Sequence, residues 1–179
     1  MKKLYFVLLA VLLFVGSANA QNKLTFSAGG NLALPMSTFG DVVSFGFGAT
    51  VAGDLQLTDK VVGTATVGYL IWSGKDLGGT GFTAKTDFKA IPVLAGIKYF
   101  FSKDFYALGQ AGFHLFSTSG ESKITFLGQT VTTKIDGSST DFTMSVGAGY
   151  QFGNMDIAGS YYIIKDANYL GVRVAYRFN

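Results

Sequence analysis

The sequence predicts an all-β chain, an eight-stranded antiparallel up-and-down transmembrane β-barrel, and three observations lead there. The chain is 49% hydrophobic with 24 Gly, 17 Phe, 9 Tyr and only 2 Pro, yet past residue 20 it has no apolar run long enough to cross a bilayer as a helix. Apolar and polar residues alternate in eight segments of roughly strand length. The charges within those segments fall on one side of the alternation only. A membrane protein without membrane helices satisfies its backbone by closing its strands on themselves.

The first twenty residues stand apart. Met1, Lys2 and Lys3 precede an unbroken apolar run over 4–15, and small residues at Ala18 and Ala20 precede Gln21. That is a secretory signal pattern, with residues 1–20 as signal peptide and 21–179 as one barrel domain. The alternative, a short anchor helix, is disfavoured because the run is well short of the ~20 residues a spanning helix needs. Removal of Lys2 and Lys3 leaves twelve basic against eleven acidic residues, so the basic balance implies no nucleic-acid partner. Without Cys there is neither a disulfide nor a lipidation site after the apolar run.

Segment one, 23–34, alternates Leu24, Phe26, Ala28, Gly30, Leu32 and Leu34 against Lys23, Thr25, Ser27, Gly29, Asn31 and Ala33. Residues 35–43 break the pattern and read as a loop. Segment two, 44–57, sets Phe45, Phe47, Val51 and Leu55 opposite Gly46, Gly48, Thr50 and Asp54, and 58–60 make a tight turn. Segment three is 61–72, and the Gly-rich stretch 73–86 reads as a second long loop. Segment four, 88–101, contains Pro92, which removes a ladder donor and predicts a bulge or local irregularity. Segment five, 105–116, follows a turn at 102–104 and points Gln110 and His114 inward. Residues 117–140 interrupt the wall, but within them 124–126 and 130–135 read as a hairpin prolonging strands five and six. Segments six, 141–152, and seven, 156–164, lead to the last, 168–178.

The outward rows of all eight segments contain no Lys, Arg, Asp or Glu, whereas the inward rows hold Lys23, Asp54, Lys98, Asp156, Arg173 and Arg177. A Lys or Arg on the lipid face at the midplane costs about 2–4 kcal/mol, so lipid exposure predicts this sorting. A soluble barrel of lipocalin type predicts the reverse, apolar inside and polar outside. Outward aromatics sort into two girdles, one containing Phe26, Phe105, Tyr150 and Phe178, the other Phe45, Tyr69, Phe113 and Phe142.

The final segment carries the most specific resemblance. Tyr169, Gly171, Val174, Tyr176 and Phe178 resemble the polar-x-Gly-x-x-apolar-x-aromatic signal read by the outer-membrane assembly machinery, with Asn179 as a departure after the terminal Phe. The chain resembles the small eight-stranded outer-membrane proteins of the OmpX and OmpA transmembrane type, including the porin-like barrels of Bacteroidetes. The stretch 91–100 also resembles the fourth strand of that family. The resemblance implies outer-membrane lipid and the barrel assembly machinery as partners, and both termini in the periplasm. No peptidoglycan-binding domain follows, so no cell-wall tether is implied.

Lys23, Asp54, Lys98, Gln110, His114, Asp156, Arg173 and Arg177 are the expected lumen polar network, with salt bridges from Asp54 to one or more of the cations. Inward glycines such as Gly46, Gly48, Gly147 and Gly149 are expected to thin the filling and leave room for water. One His and no Cys offer no metal cluster, and no cofactor is expected. His114 as the base of a lipid-modifying enzyme, beside Ser117, Ser119 and Glu121, is disfavoured: the His-x-Ser spacing of outer-membrane deacylases is absent, since Phe116 stands two after His114. The leading functional expectation is a non-catalytic structural or surface-interaction protein whose partner is met through 117–140. The alternative is a narrow porin-like channel for ions or small solutes.

Overall fold

The computed structural model describes residues 23–75, 77–79, 82–126 and 129–178, and for 77–79, 82–86, 121–126 and 129–135 the backbone alone. The elements are β1 (Leu24–Pro35), α1 (Ser37–Val42), β2 (Val43–Gln56), β3 (Val61–Gly74), β4 (Leu77–Gly79), β5 (Phe82–Phe100), β6 (Phe105–Phe126), β7 (Gln129–Phe152), β8 (Met155–Ile164) and β9 (Tyr169–Phe178). The wall runs β3-β2-β1-β9-β8-β7-β6-β5 and returns to β3, so eight antiparallel strands close on themselves. The three-residue β4 lies outside that circle on the end of β5. The seam is the β1–β9 ladder, from Phe26 opposite Phe178 to Pro35 opposite Tyr169.

The alternation read from the sequence is the alternation of burial. In β7 Thr143 and Ser145 are buried while Phe142, Met144 and Val146 are exposed, Val146 at 60%. Phe45, Phe113 and Phe178 are also exposed, and water would not tolerate an apolar belt of this extent. Lipid removes the penalty, and the aromatic residues gather at its edges. At the end with the short turns the Phe105 ring packs tilted 4.4 Å from Tyr150, and towards the long loops Phe113 meets Phe142 at 5.8 Å.

The connections differ from the sequence reading in two places. Residues 35–43 hold a short helix, α1, which has no side-chain N-cap and is held by the burial of Phe39. The Gly-rich stretch 73–86 is largely strand, because β5 begins at Phe82 and pairs with β6 from Ile124 onward. The expected hairpin within 117–140 is present and prolongs the wall as the sequence reading has it, since β6 and β7 pair without a register shift up to Phe126 opposite Gln129. At Pro92 the β3–β5 ladder skips Gly68 and Tyr69, then resumes in the same register at Leu70 opposite Ala90. Pro92 has no N–H to give, and the ladder accommodates the loss as a gap without a bulge.

Candidate functional site

The interior is built in three layers. Nearest the short turns, Lys98 on β5 meets Asp54 of β2 at 2.7 Å and Asp156 of β8 at 3.1 Å. Asp156 also accepts from the Tyr106 hydroxyl at 2.6 Å and from Gln151 Nε2 at 2.9 Å. Lys98 Nζ lies 4.9 Å from the centre of the Tyr106 ring. One ammonium therefore ties opposite walls together, and the second carboxylate is held by neutral donors. A buried charge stays in place only when it is paired and hydrogen-bonded, as Lys98 and Asp156 both are.

The middle layer is a hydroxyl lattice. Thr50 Oγ1 accepts from Asn31 Nδ2 at 2.9 Å and from Arg173 Nε at 2.8 Å, while Arg173 Nη2 donates to Ser27 at 3.0 Å. Gln110 Nε2 donates to Thr66 at 3.0 Å. Two voids of about 10 and 30 Å³ lie here, with Arg173 and Lys98 on the wall of the larger one. Each has room for water molecules only.

Toward the long loops the lumen is closed by rings. Trp72 is wholly buried and packs edge-on against Phe39 at 5.6 Å and Tyr169 at 5.4 Å. Tyr169 stacks on Tyr162 at 4.3 Å, and Phe88 and Phe116 complete the plug. His114 sits beneath it with Nδ1 2.8 Å from Thr143 Oγ1 and Nε2 3.0 Å from the Tyr169 hydroxyl. Both ring nitrogens are thereby occupied. Ser117 and Ser119 stand on the outer face of β6, out of reach of His114, and the side chain of Glu121 lies outside the described residues.

Of the residues singled out from sequence, Asp54, Lys98 and Asp156 come together, and Gln110, His114 and Arg173 line the same lumen through separate partners. Lys23 does not join them: it is exposed ahead of β1, where the rim offers its ammonium solvent. Arg177 is half-buried near the short-turn rim, with no hydrogen-bond partner to Nε among the described residues. On β9, Val174, Tyr176 and Phe178 face outward, while Tyr169 is buried and Gly171 faces the Tyr162 ring.

Two of the inward glycines, Gly46 and Gly149, admit rings, and the room for water lies elsewhere, between Thr50, Thr66 and Arg173. A Cβ on Gly46 would lie 2.5 Å from the Trp72 indole, and one on Gly149 2.2 Å from the Tyr106 ring. Gly46 is the direct cross-strand partner of Trp72, and Gly149 of Tyr106. Trp72 and Tyr106, the two largest fully buried side chains, thus lie on the two glycines. Trp72 and Tyr106 were missed as lumen residues although their positions share the inward parity of Thr66 and Gln110. Phe39 gave no such signal, because it enters from the short helix α1 and not from an alternating strand.

Comparison with solved structures shows the same fold. The crystal structure of Ail, the attachment invasion locus protein of Yersinia pestis, is similar with a TM-score of 0.55 at 13% identity, covering 87% of this chain and 97% of that one. Ail in complex with the heparin analogue sucrose octasulfate gives 0.55 at 15% identity, covering 88% and 99%. The N-terminal β-barrel domain of Pseudomonas aeruginosa OprF gives 0.54 at 13% identity, covering 88% and 100%. A search of curated protein sequences finds no match. A closed eight-strand wall with an apolar belt outside and a charged network inside is an outer-membrane architecture. The family model described as outer membrane protein beta-barrel domain matches residues 6–178, and the chain belongs to that family.

Proposed function

We propose that the protein is a closed, non-catalytic barrel that serves at the cell surface through the sheet of β5, β6 and β7 standing above its long-loop end. The observation that carries this reading is the combination of a filled interior with a selectively extended wall. The Lys98 network and the Trp72 plug occupy the lumen, while the β6–β7 ladder runs on past the last β7–β8 pair, Thr143 with Ile164, to Phe126 opposite Gln129. A strand edge lifted clear of the membrane offers backbone hydrogen bonds to a partner. Both termini and the short turns lie in the periplasm, the extension lies outside, and β9 with Tyr169, Gly171, Val174, Tyr176 and Phe178 is the segment read by the assembly machinery. That Ail is an attachment protein on a similar scaffold supports the same role here.

Bacteria expressing the chain should adhere to epithelial cell layers above the level of cells carrying no barrel. Deleting residues 122–136 should return adhesion to that background while the barrel keeps its β circular-dichroism spectrum and its heat-dependent gel shift. Equal adhesion by the two proteins would sink the reading. In planar bilayers the pure protein should carry no steady single-channel current, and a current lost on Arg173→Ala would instead favour a narrow channel.

A further inference from the structure

The extension has two edges, and the chain covers one of them. On the β5 side, β4 pairs with Phe82–Ala84 and caps the sheet. On the β7 side, no strand among the described residues pairs above Thr143. Residues 136–140 are exposed there, and the connection from β8 to β9 is only the stretch 165–168, which leaves that flank open. Edge strands are ordinarily blunted by Pro, a bulge, a cover or unpaired charged side chains, and the charges at Lys134 and Asp136 on this edge are of opposite sign. Residues 129–142 contain no Pro, and their register to β6 is unbroken.

We propose that the free edge of β7 pairs with the same edge of a second copy of this chain carried by a facing outer membrane, so that the two extensions merge into one antiparallel sheet. This rests on the reading of the extension as the working surface. Direction selects the partner. β7 descends from its tip toward its own barrel, so an antiparallel neighbour must rise away from that membrane. A copy beside it in the same bilayer has its β7 descending too, whereas a copy inverted by a twofold axis normal to the sheet has its β7 rising.

That axis keeps each outer face outward, so opposed residues share parity. Among the registers this allows, centring on residue 134 sets Lys against Lys, and centring on 136 sets Asp against Asp. Centring on Ile135 places position 134 of each copy opposite position 136 of the other, Lys against Asp on both sides of the axis. Opposite charges directly across a ladder stabilise it and like charges oppose it. Thr133 then stands opposite Gly137 and Thr132 opposite Ser138. Thr143, the last β7 residue paired to β8, then stands eight residues from the axis in each copy, so at ~3.4 Å per residue the two barrel mouths lie roughly 54 Å apart along the strands.

The test uses the full barrel reconstituted in vesicles with the extension outward, read by light scattering. Wild-type vesicles should cluster, with scattering rising several-fold over vesicles of the 122–136 deletion. Lys134→Glu leaves only acidic residues at the two positions and Asp136→Lys only basic ones, so neither variant should cluster alone. Mixing the two populations should restore clustering to the wild-type level, which a misfolded variant cannot do. Dispersed wild-type vesicles, clustering by either variant alone, or a mixture no better than its parts would each overturn the proposal. If wild-type vesicles stay dispersed while bacteria still adhere through the extension, the self-pairing falls and the surface-interaction reading stands.

Discussion

Lys98 holds two carboxylates with one charge, so its loss and theirs are not equivalent. Lys98→Met strands Asp54 and Asp156 without a cation in a buried site, and breaking such a cluster costs about 3–5 kcal/mol. Urea unfolding in micelles should show this loss, with part of it recovered when Asp156→Asn is added. Gly149 tests the other kind of fit. Gly149→Ala drives a Cβ into the Tyr106 ring, which Asp156 holds in place, and overpacking of this sort costs about 1–3 kcal/mol. In a Tyr106→Leu background the same substitution should cost less, so a double-mutant cycle should return a coupling between the two sites. Inward charges were legible because a cation on an otherwise polar row has one place to go. The partners were not, since the meeting of Lys98 with Asp54 and Asp156 depends on three strands that are remote in sequence.

Among the elements, α1 is the one whose anchoring is narrowest. Phe39 is its buried side chain, packed on Trp72 and on Phe88 at 5.7 Å, and the helix is otherwise tied by hydrogen bonds from Lys75, its N–H to Val42 O at 2.9 Å and its ammonium to Gly40 O. Phe39→Ala should release residues 37–42 to fast hydrogen exchange while the wall amides keep their protection, because the closed ladders do not depend on the helix. Six residues give no helical periodicity to read, so α1 passed as a loop. The strands were legible to within a few residues wherever one face met lipid. They were underestimated over 82–87, 117–123 and 136–140, where the sequence has few apolar residues to mark an alternating face.

At the scale of the whole barrel the outer belt sets the energetics of residence in a bilayer. Val146→Lys, midway along the lipid-facing part of β7, should lower stability by about 2–4 kcal/mol in reversible folding into vesicles. The same change at Phe152, beside the short-turn rim, should cost about 0–1 kcal/mol. Fold class was legible from sequence because one physical demand, no charge toward lipid, acts on every strand at once. Closure also gives the β3–β5 gap opposite Pro92 a mechanical meaning. Seven ladders of the cylinder run unbroken where their strands overlap or shift only near an end, and one has missing rungs in the middle, at Gly68 and Tyr69. Pulled from the bilayer by a cantilever attached to one terminus, the cylinder should open first along that line into one sheet still joined at the β1–β9 seam, so the β3–β5 ladder should give way in the force trace before the unbroken ladders.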